Sequence, residues 1–214
     1  MTVLVCAAHA DDEVIGLGGT IAKLAKTEDI VVVVFYYGAN LAGRLTSWPP
    51  TMSQAKLTRK RVSESQKAGE LLGVKETIFL GLVGDEQMAD LDQTRKQLLS
   101  NIFKKYSPNK VFYHSIKDGH KDHRFVNRAV SEQISKLETK PEIYTYQVNL
   151  FDFSQKEPKI IFDVSHEFSK KLRALEVFKT QPLSIELLKP LILLKAMYYG
   201  KKFGMRYAEY FMAE

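Results

Sequence analysis

Cysteine is almost missing from this chain: Cys6 is the single one among 214 residues, so no internal disulfide can staple the fold. It sits in an apolar, strand-like run, where a buried and inert thiol is expected, consistent with a reducing compartment. Long apolar runs are missing too. The longest clean one near the C-terminus, residues 191–194, falls far short of the roughly 20 residues a membrane span needs. No basic n-region precedes the opening apolar stretch, which therefore reads as a strand and not as a signal peptide. These absences set the expectation of a soluble, cytoplasmic protein without stable membrane insertion. A dinucleotide fingerprint is also lacking. Gly16, Gly18 and Gly19 do not have G-x-G-x-x-G spacing, and the second strand-like run ends Tyr36-Tyr37-Gly38 instead of in an acidic residue that would hold a ribose. Close packing of a first helix explains those glycines better. Repeats, low-complexity tracts and interdomain linkers are absent as well, so residues 1–214 are expected to form one domain.

What is present is ordinary in bulk and specific in pattern. Net charge is +6 with a pI near 9.2, which invites a nucleic-acid or acidic partner. The lysines are spread along the chain with no basic-aromatic motif, so solvated helix faces account for them and no nucleic acid is expected. Apolar, β-branched runs at residues 3–8, 31–37, 77–80, 111–114 and 143–148 predict strands. Between them, residues 15–26, 54–72, 91–106 and 124–137 have helical spacing, with stops at Gly73 and Pro108. Two later helices are expected over residues 167–179 and 185–199, and a long loop over residues 39–52. Such alternation predicts an α/β fold: a doubly wound, mainly parallel sheet with helices on both faces.

The chemistry is concentrated at two strand ends. His9-Ala10-Asp11-Asp12-Glu13 follows the first strand, and Asp118-Gly119-His120-Lys121-Asp122-His123 follows the fourth. In a doubly wound sheet these strands are neighbours where the strand order reverses, and ligands bind beyond their carboxyl ends. His9 and Asp12, three apart in a turn, can converge while Asp11 is displaced, and His123 completes a two-His, one-carboxylate set. Such a set leaves coordination positions open for water and substrate, the pattern of a catalytic cation. Asp11 is then placed as general base. His120, when protonated, would stabilise a tetrahedral oxyanion, and His120, Asp11 or both would protonate the leaving amine. The reading requires the imidazoles of His9 and His123 to lie within reach of one ion.

Blander readings compete at each position. Asp11 and Asp12 could simply cap the first helix, and His120 and His123 could be exposed loop residues; their joint occurrence at two strand ends favours the metal. His114 and His166 have no evident partners and read as structural or surface residues. The same ligand set serves Fe(II) oxygenases, but those rest on all-β folds. Residues 187–203 could form a membrane-facing amphipathic segment, yet Pro190 and single lysines interrupt them, favouring a helix packed on the core or on another subunit of a homo-oligomer.

The strings Ala8-His9-Ala10-Asp11-Asp12-Glu13 with Gly18-Gly19-Thr20, and His120-Lys121-Asp122-His123-Arg124, resemble the LmbE/PIG-L family of metal-dependent N-acetylglucosaminyl deacetylases. So do Arg61-Val62-Ser63-Glu64 with Leu72-Gly73-Val74, the late Lys171, Ala174-Leu175 and Thr180-Gln181, and the terminal Arg206-Tyr207-Ala208-Glu209-Tyr210-Phe211. The resemblance implies a Rossmann-like fold, a zinc ion (with ferrous iron or another divalent metal as the alternative), and hydrolysis of an acetamido sugar to an amino sugar plus acetate. It carries over His9, Asp12 and His123 as ligands, Asp11 as base and His120 as oxyanion partner. Arg61 is implied near the pocket, contacting a substrate hydroxyl or acidic group, and Asp85 is implied as a sugar-hydroxyl partner. This chain departs from the family's commonest form in having Ala8 and Ala10 where prolines are usual, and residues 38–50 match little of its pattern. Two alternatives stand beside the deacetylase: an amidase of another N-acyl conjugate on the same metal site, and a non-catalytic sugar- or nucleotide-binding module.

Overall fold

A computed structural model of the chain describes residues 1–82, 91–148 and 160–213. The elements, in order, are β1 (Thr2–Ala7), α1 (Asp12–Leu24), β2 (Asp29–Tyr36), α2 (Leu41–Leu45), α3 (Gln54–Leu72), β3 (Glu76–Leu82), α4 (Gln93–Tyr106), β4 (Lys110–His114), α5 (Lys121–Ser135), β5 (Glu142–Tyr146), β6 (Ile160–Asp163), α6 (Phe168–Leu175), α7 (Pro182–Lys202) and β7 (Ala208–Ala213). The central strands β1 and β2 are buried nearly end to end, which is why they read as continuous apolar runs. Their alternate residues feed opposite cores. Val3, Val5, Val32 and Val34 pack with Ile21 of α1, Ala68 of α3, Leu175 of α6 and Ile192 of α7. Leu4, Cys6, Val31 and Val33 pack with Leu99 and Phe103 of α4 and Val126 and Val130 of α5. Helices therefore cover both faces, as predicted.

Strand order is β3-β2-β1-β4-β5-β7-β6. β1 to β5 pair in parallel, whereas β7 runs antiparallel to both β5 and β6. β1 lies between β2 and β4, so the order reverses beside it and the two motif-bearing strand ends are adjacent.

Several elements differ from the sequence expectation. The expected loop over residues 39–52 contains the short α2, begun by the Asn40 side chain accepting from Gly43 N at 2.8 Å. β6 and β7 were not anticipated; they are short, and their strand character comes from pairing with each other and with the edge of β5. α5 starts earlier than its apolar spacing suggests because His120 caps it, Nδ1 accepting from Asp122 N at 3.3 Å. α6 stops at Leu175, short of residue 179, and α7 continues through Pro190 to Lys202. Ile185, Ile192, Ala196 and Tyr199 of α7 are buried, which makes it a helix packed on the core. No helix among the described residues is long and apolar enough to cross a membrane.

The glycines of α1 do serve close packing. A Cβ on Gly16 would lie 2.5 Å from the Tyr146 ring, and one on Gly19 would lie 2.8 Å from Val164 Cβ. The helix kinks between them, at Leu17 (φ −145°).

Candidate metal centre and cleft

The turn after β1 is unusual at one residue. Asp11 has φ 155° and ψ −25°, a conformation residues with a side chain rarely adopt. Although it occupies the N-cap position of α1, its side chain makes no capping bond, so the helix-cap reading does not hold for Asp11. Asp12 turns inward. Its Oδ2 accepts from His9 N at 2.8 Å and lies 3.4 Å from His9 Nδ1, 3.3 Å from His123 Nε2 and 3.4 Å from His114 Nε2. The His9 and His123 ring centroids are 5.8 Å apart, within reach of one ion. Two overlapping sets have ligand atoms within 4.8 Å of one another and could hold a cation: His9, His120 and His123, and Asp12, His114 and His123; the expected trio of His9, Asp12 and His123 is neither of these but draws on both.

Both outer imidazoles are held from behind by carboxylates. His9 Nε2 lies 3.1 Å from Asp122 Oδ2, and His123 Nδ1 lies 2.9 Å from Asp118 Oδ1. Asp118 also accepts from His120 N at 3.0 Å and from Val148 N at 3.1 Å, tying the loop after β4 to the end of β5. Asp118 and Asp122 belong to the motif that follows β4, but the sequence alone assigns neither a task. His114 is structural, one of the two readings its sequence position allowed, but it does have partners. That residue is fully buried, its Nε2 accepts from Ala8 N at 3.0 Å, and its ring stacks on His123 with centroids 4.0 Å apart. The available signal was its place as the last residue of β4, at the sheet edge where the order reverses. His166 is exposed, as expected.

Electrostatics follow from this crowding. Burial works to lower the pKa of His9 and His123, but the carboxylates win, lifting His9 to about 9 and His123 to about 10. Burial works to raise Asp12, but His123, His114 and His9 hold it well below the usual carboxylate range. Asp11 goes the other way: burial, then the charge of Asp12, raise it to about 7. Burial drives His114 down to about 4. Burial and the cationic His123 and His9 also lower His120.

Above these residues opens a cleft of about 580 Å³, lined by His9, Asp11, Asp12, Tyr36, Arg61 and His120, with Gly43 and Thr46 from the α2 region and Leu188 from α7. Arg61 is buried at the cleft. Its Nη1 donates to the carbonyls of Tyr37 and Gly38, and its Nη2 donates to Ser47 Oγ at 3.1 Å. The guanidinium thus holds the loop after β2. Asp85 lies outside the described residues.

Of the remaining motif residues, Gln181 lines the cleft, whereas Glu209 and Lys171 brace α1. Glu209 accepts from Gly19 N at 3.1 Å and Thr20 N at 2.7 Å, while Lys171 Nζ reaches Glu209 at 2.6 Å and Ile15 O at 2.8 Å. Glu64 accepts from Thr180 N at 2.9 Å, joining α3 to the turn before α7.

Known proteins share the sequence pattern and the fold of this chain. A family model described as GlcNAc-PI de-N-acetylase (PIG-L) matches residues 4–134. The diacetylchitobiose deacetylase of Thermococcus kodakarensis is 31% identical over 222 residues, covering 97% of this chain and 80% of that protein. Among solved structures, the N,N'-diacetylchitobiose deacetylase of Pyrococcus horikoshii, complexed with its inhibitor MPG, has a TM-score of 0.84 at 26% identity, covering 100% of this chain and 83% of that one. GalB, the 4-carboxy-2-hydroxymuconate hydratase of Pseudomonas putida KT2440, shares the fold with a TM-score of 0.81 at 24% identity, covering 99% of this chain and 95% of that one. The family model spans more than half of the chain, the deacetylase relative covers nearly all of it, and the chain belongs to the PIG-L family of GlcNAc-PI de-N-acetylases.

Proposed function

We propose that this protein is a metal-dependent deacetylase that hydrolyses the acetamide of an N-acetylglucosamine-type sugar or conjugate to the free amine and acetate. One observation carries the reading: Asp12 Oδ2 stands 3.4 Å from His9 Nδ1 and 3.3 Å from His123 Nε2, at the floor of an open cleft. The donor set fits a divalent cation. It brings one carboxylate held ionised and two imidazoles whose far nitrogens already face Asp122 and Asp118, the arrangement that orients metal-binding histidines. Zinc is the proposed ion, since imidazole and carboxylate ligands with open positions suit it, and ferrous iron is the alternative. His114 is assigned a supporting place, because its Nε2 already accepts the Ala8 amide.

When bound, the cation would lower the pKa of a water towards about 7 and polarise the acetamide carbonyl. Asp11 lines the cleft beside Asp12 with its carboxylate free of any helix-capping bond, and acts as general base, taking the proton of the attacking water. The same proton then goes to the sugar nitrogen as the C–N bond breaks, leaving the amine and acetate. His120 acts while neutral, not in the protonated form expected from the sequence: its Nδ1 accepts the Asp122 amide, which leaves Nε2 as the N–H donor for the tetrahedral oxyanion. Arg61 contributes by fixing the loop that borders the cleft. The sugar assignment is supported by the diacetylchitobiose deacetylases among its relatives.

The test is release of free amine from N-acetylglucosamine and N,N'-diacetylchitobiose by the zinc-loaded protein. Activity should vanish on chelation and return with zinc. Absence of amine release from both compounds by protein shown to contain stoichiometric metal would refute the sugar assignment.

A further inference from the structure

Glu13 is buried, with only 3% of its surface exposed, and it is not among the residues that line the cleft. Even so, its carboxyl group reaches the backbone amide of the general base. Glu13 Oε2 accepts from Asp11 N at 3.1 Å, sharing that proton with His9 O at 3.0 Å. Its other oxygen, Oε1, accepts from Ser65 Oγ of α3 at 3.4 Å.

This arrangement answers a question posed by the geometry of Asp11. An aspartate at the N-cap of a helix normally turns its carboxylate onto the exposed amides of the first turn. Asp11 does not, and its φ of 155° is one that a side chain disfavours. Something must hold it there. On its carbonyl side, Val14 N and Ile15 N each donate to Asp11 O at 2.9 Å. On its amide side, the His9 carbonyl closes only a tight local turn, and Glu13 supplies the one side-chain acceptor. An acidic side chain in the first turn of a helix is favourable in itself but would ordinarily lie in solvent. Here it is buried and braced against a second helix.

We infer that Glu13 is a positioning residue: by accepting the Asp11 amide while anchored to Ser65, it holds the Asp11 backbone in the conformation that frees the Asp11 carboxylate for proton transfer. The inference rests on the proposed role of Asp11.

The test is steady-state hydrolysis of N,N'-diacetylchitobiose by the zinc-loaded wild type and by Glu13→Ala, Glu13→Gln, Asp11→Asn and Asp11→Asn/Glu13→Ala, with bound zinc measured on each. Glu13→Ala should lower kcat by about 10- to 100-fold, with KM and zinc content unchanged. Glu13→Gln keeps an acceptor oxygen for the amide and should recover most of kcat, with the Ser65 hydroxyl rotating to accept from the new amide group. The double variant should be no slower than Asp11→Asn alone, because a residue acting through Asp11 has nothing left to act upon. Undiminished kcat in Glu13→Ala, or a loss proportional to lost zinc, would overturn the inference. So would additive losses in the double variant. Full activity of Asp11→Asn itself would instead show that the underlying assignment of the base is wrong. Should Glu13→Ala fail to fold, the kcat of Glu13→Gln against Glu13→Leu decides the matter, equal values counting against the inference.

Discussion

Asp118 Oδ1 lies 2.9 Å from His123 Nδ1, so the imidazole whose Nε2 faces Asp12 has a buried carboxylate within ion-pair distance behind it. That carboxylate also secures the amides of His120 and Val148. Loss of such a partner leaves a metal-binding histidine free to turn and lowers its basicity, typically weakening affinity by about 10- to 100-fold. Asp118→Ala is therefore expected to bind zinc about 10- to 100-fold more weakly in competition with a chromogenic chelator. Wild-type affinity in that variant would mean that the pair does not support the ion.

Asp11→Asn is expected to keep its metal and lose about 10²–10⁴ in kcat, the usual range for removing a general base. The substitution is nearly isosteric, and the Asp11 side chain caps no helix. Its melting temperature should therefore stay close to that of the wild type. An asparagine variant as fast as the parent would move the proton-accepting role elsewhere in the cleft.

Metal binding should grow tighter with rising pH. In the metal-free protein His9 is lifted to about 9 and His123 to about 10, above the ordinary histidine value, by the carboxylates of Asp12, Asp122 and Asp118. Both imidazoles are therefore protonated at pH 7 and must release their protons to become ligands. Titration calorimetry at pH 7 in buffers of different ionisation enthalpy should show net proton release on zinc binding, declining towards pH 10. The metal-free protein should behave in the opposite sense. A raised histidine pKa stabilises the fold fully below the unfolded value near 6.5, and that contribution is lost as pH rises through about 9 to 10. Chemical denaturation of the metal-free protein at pH 7 and pH 10 would expose a flat profile if the pairs do not form.

Much of this site was legible in the sequence because position in a doubly wound sheet is nearly a consequence of alternation. The runs that became β1 and β4 are buried on both faces, and the motifs that follow them had to emerge at the same edge once β4 paired with β1. His114 escaped because its partners, the Ala8 amide and the His123 ring, come from segments far away in the sequence or one loop on. β6 and β7 escaped for a related reason: what makes them strands is pairing with each other and with the edge of β5. Asp118 and Asp122 were visible as letters, but that each stands behind a different imidazole depends on where α5 begins, and the capping of α5 by His120 sets that.

Packing beneath the site gives a prediction independent of the metal. Gly16 of α1 faces the ring of Tyr146, where an added Cβ would come within 2.5 Å of an aromatic carbon. That ring cannot simply retreat, since its hydroxyl donates to Cys6 O at 3.0 Å and lies 3.3 Å from His114 Nε2. Gly16→Ala is thus an overpacking change and should cost about 1–3 kcal/mol. At Gly18 the nearest atom to an added Cβ is Lys171 Cγ at 3.1 Å, part of an aliphatic stem that can give by a few tenths of an ångström. Gly18→Ala should therefore be the milder of the two, helped by the better helix propensity of alanine. Urea titrations would show the Gly16→Ala midpoint falling further than that of Gly18→Ala, with m unchanged in both. The reverse order would indicate that the α1 glycines are not there for contact with β5.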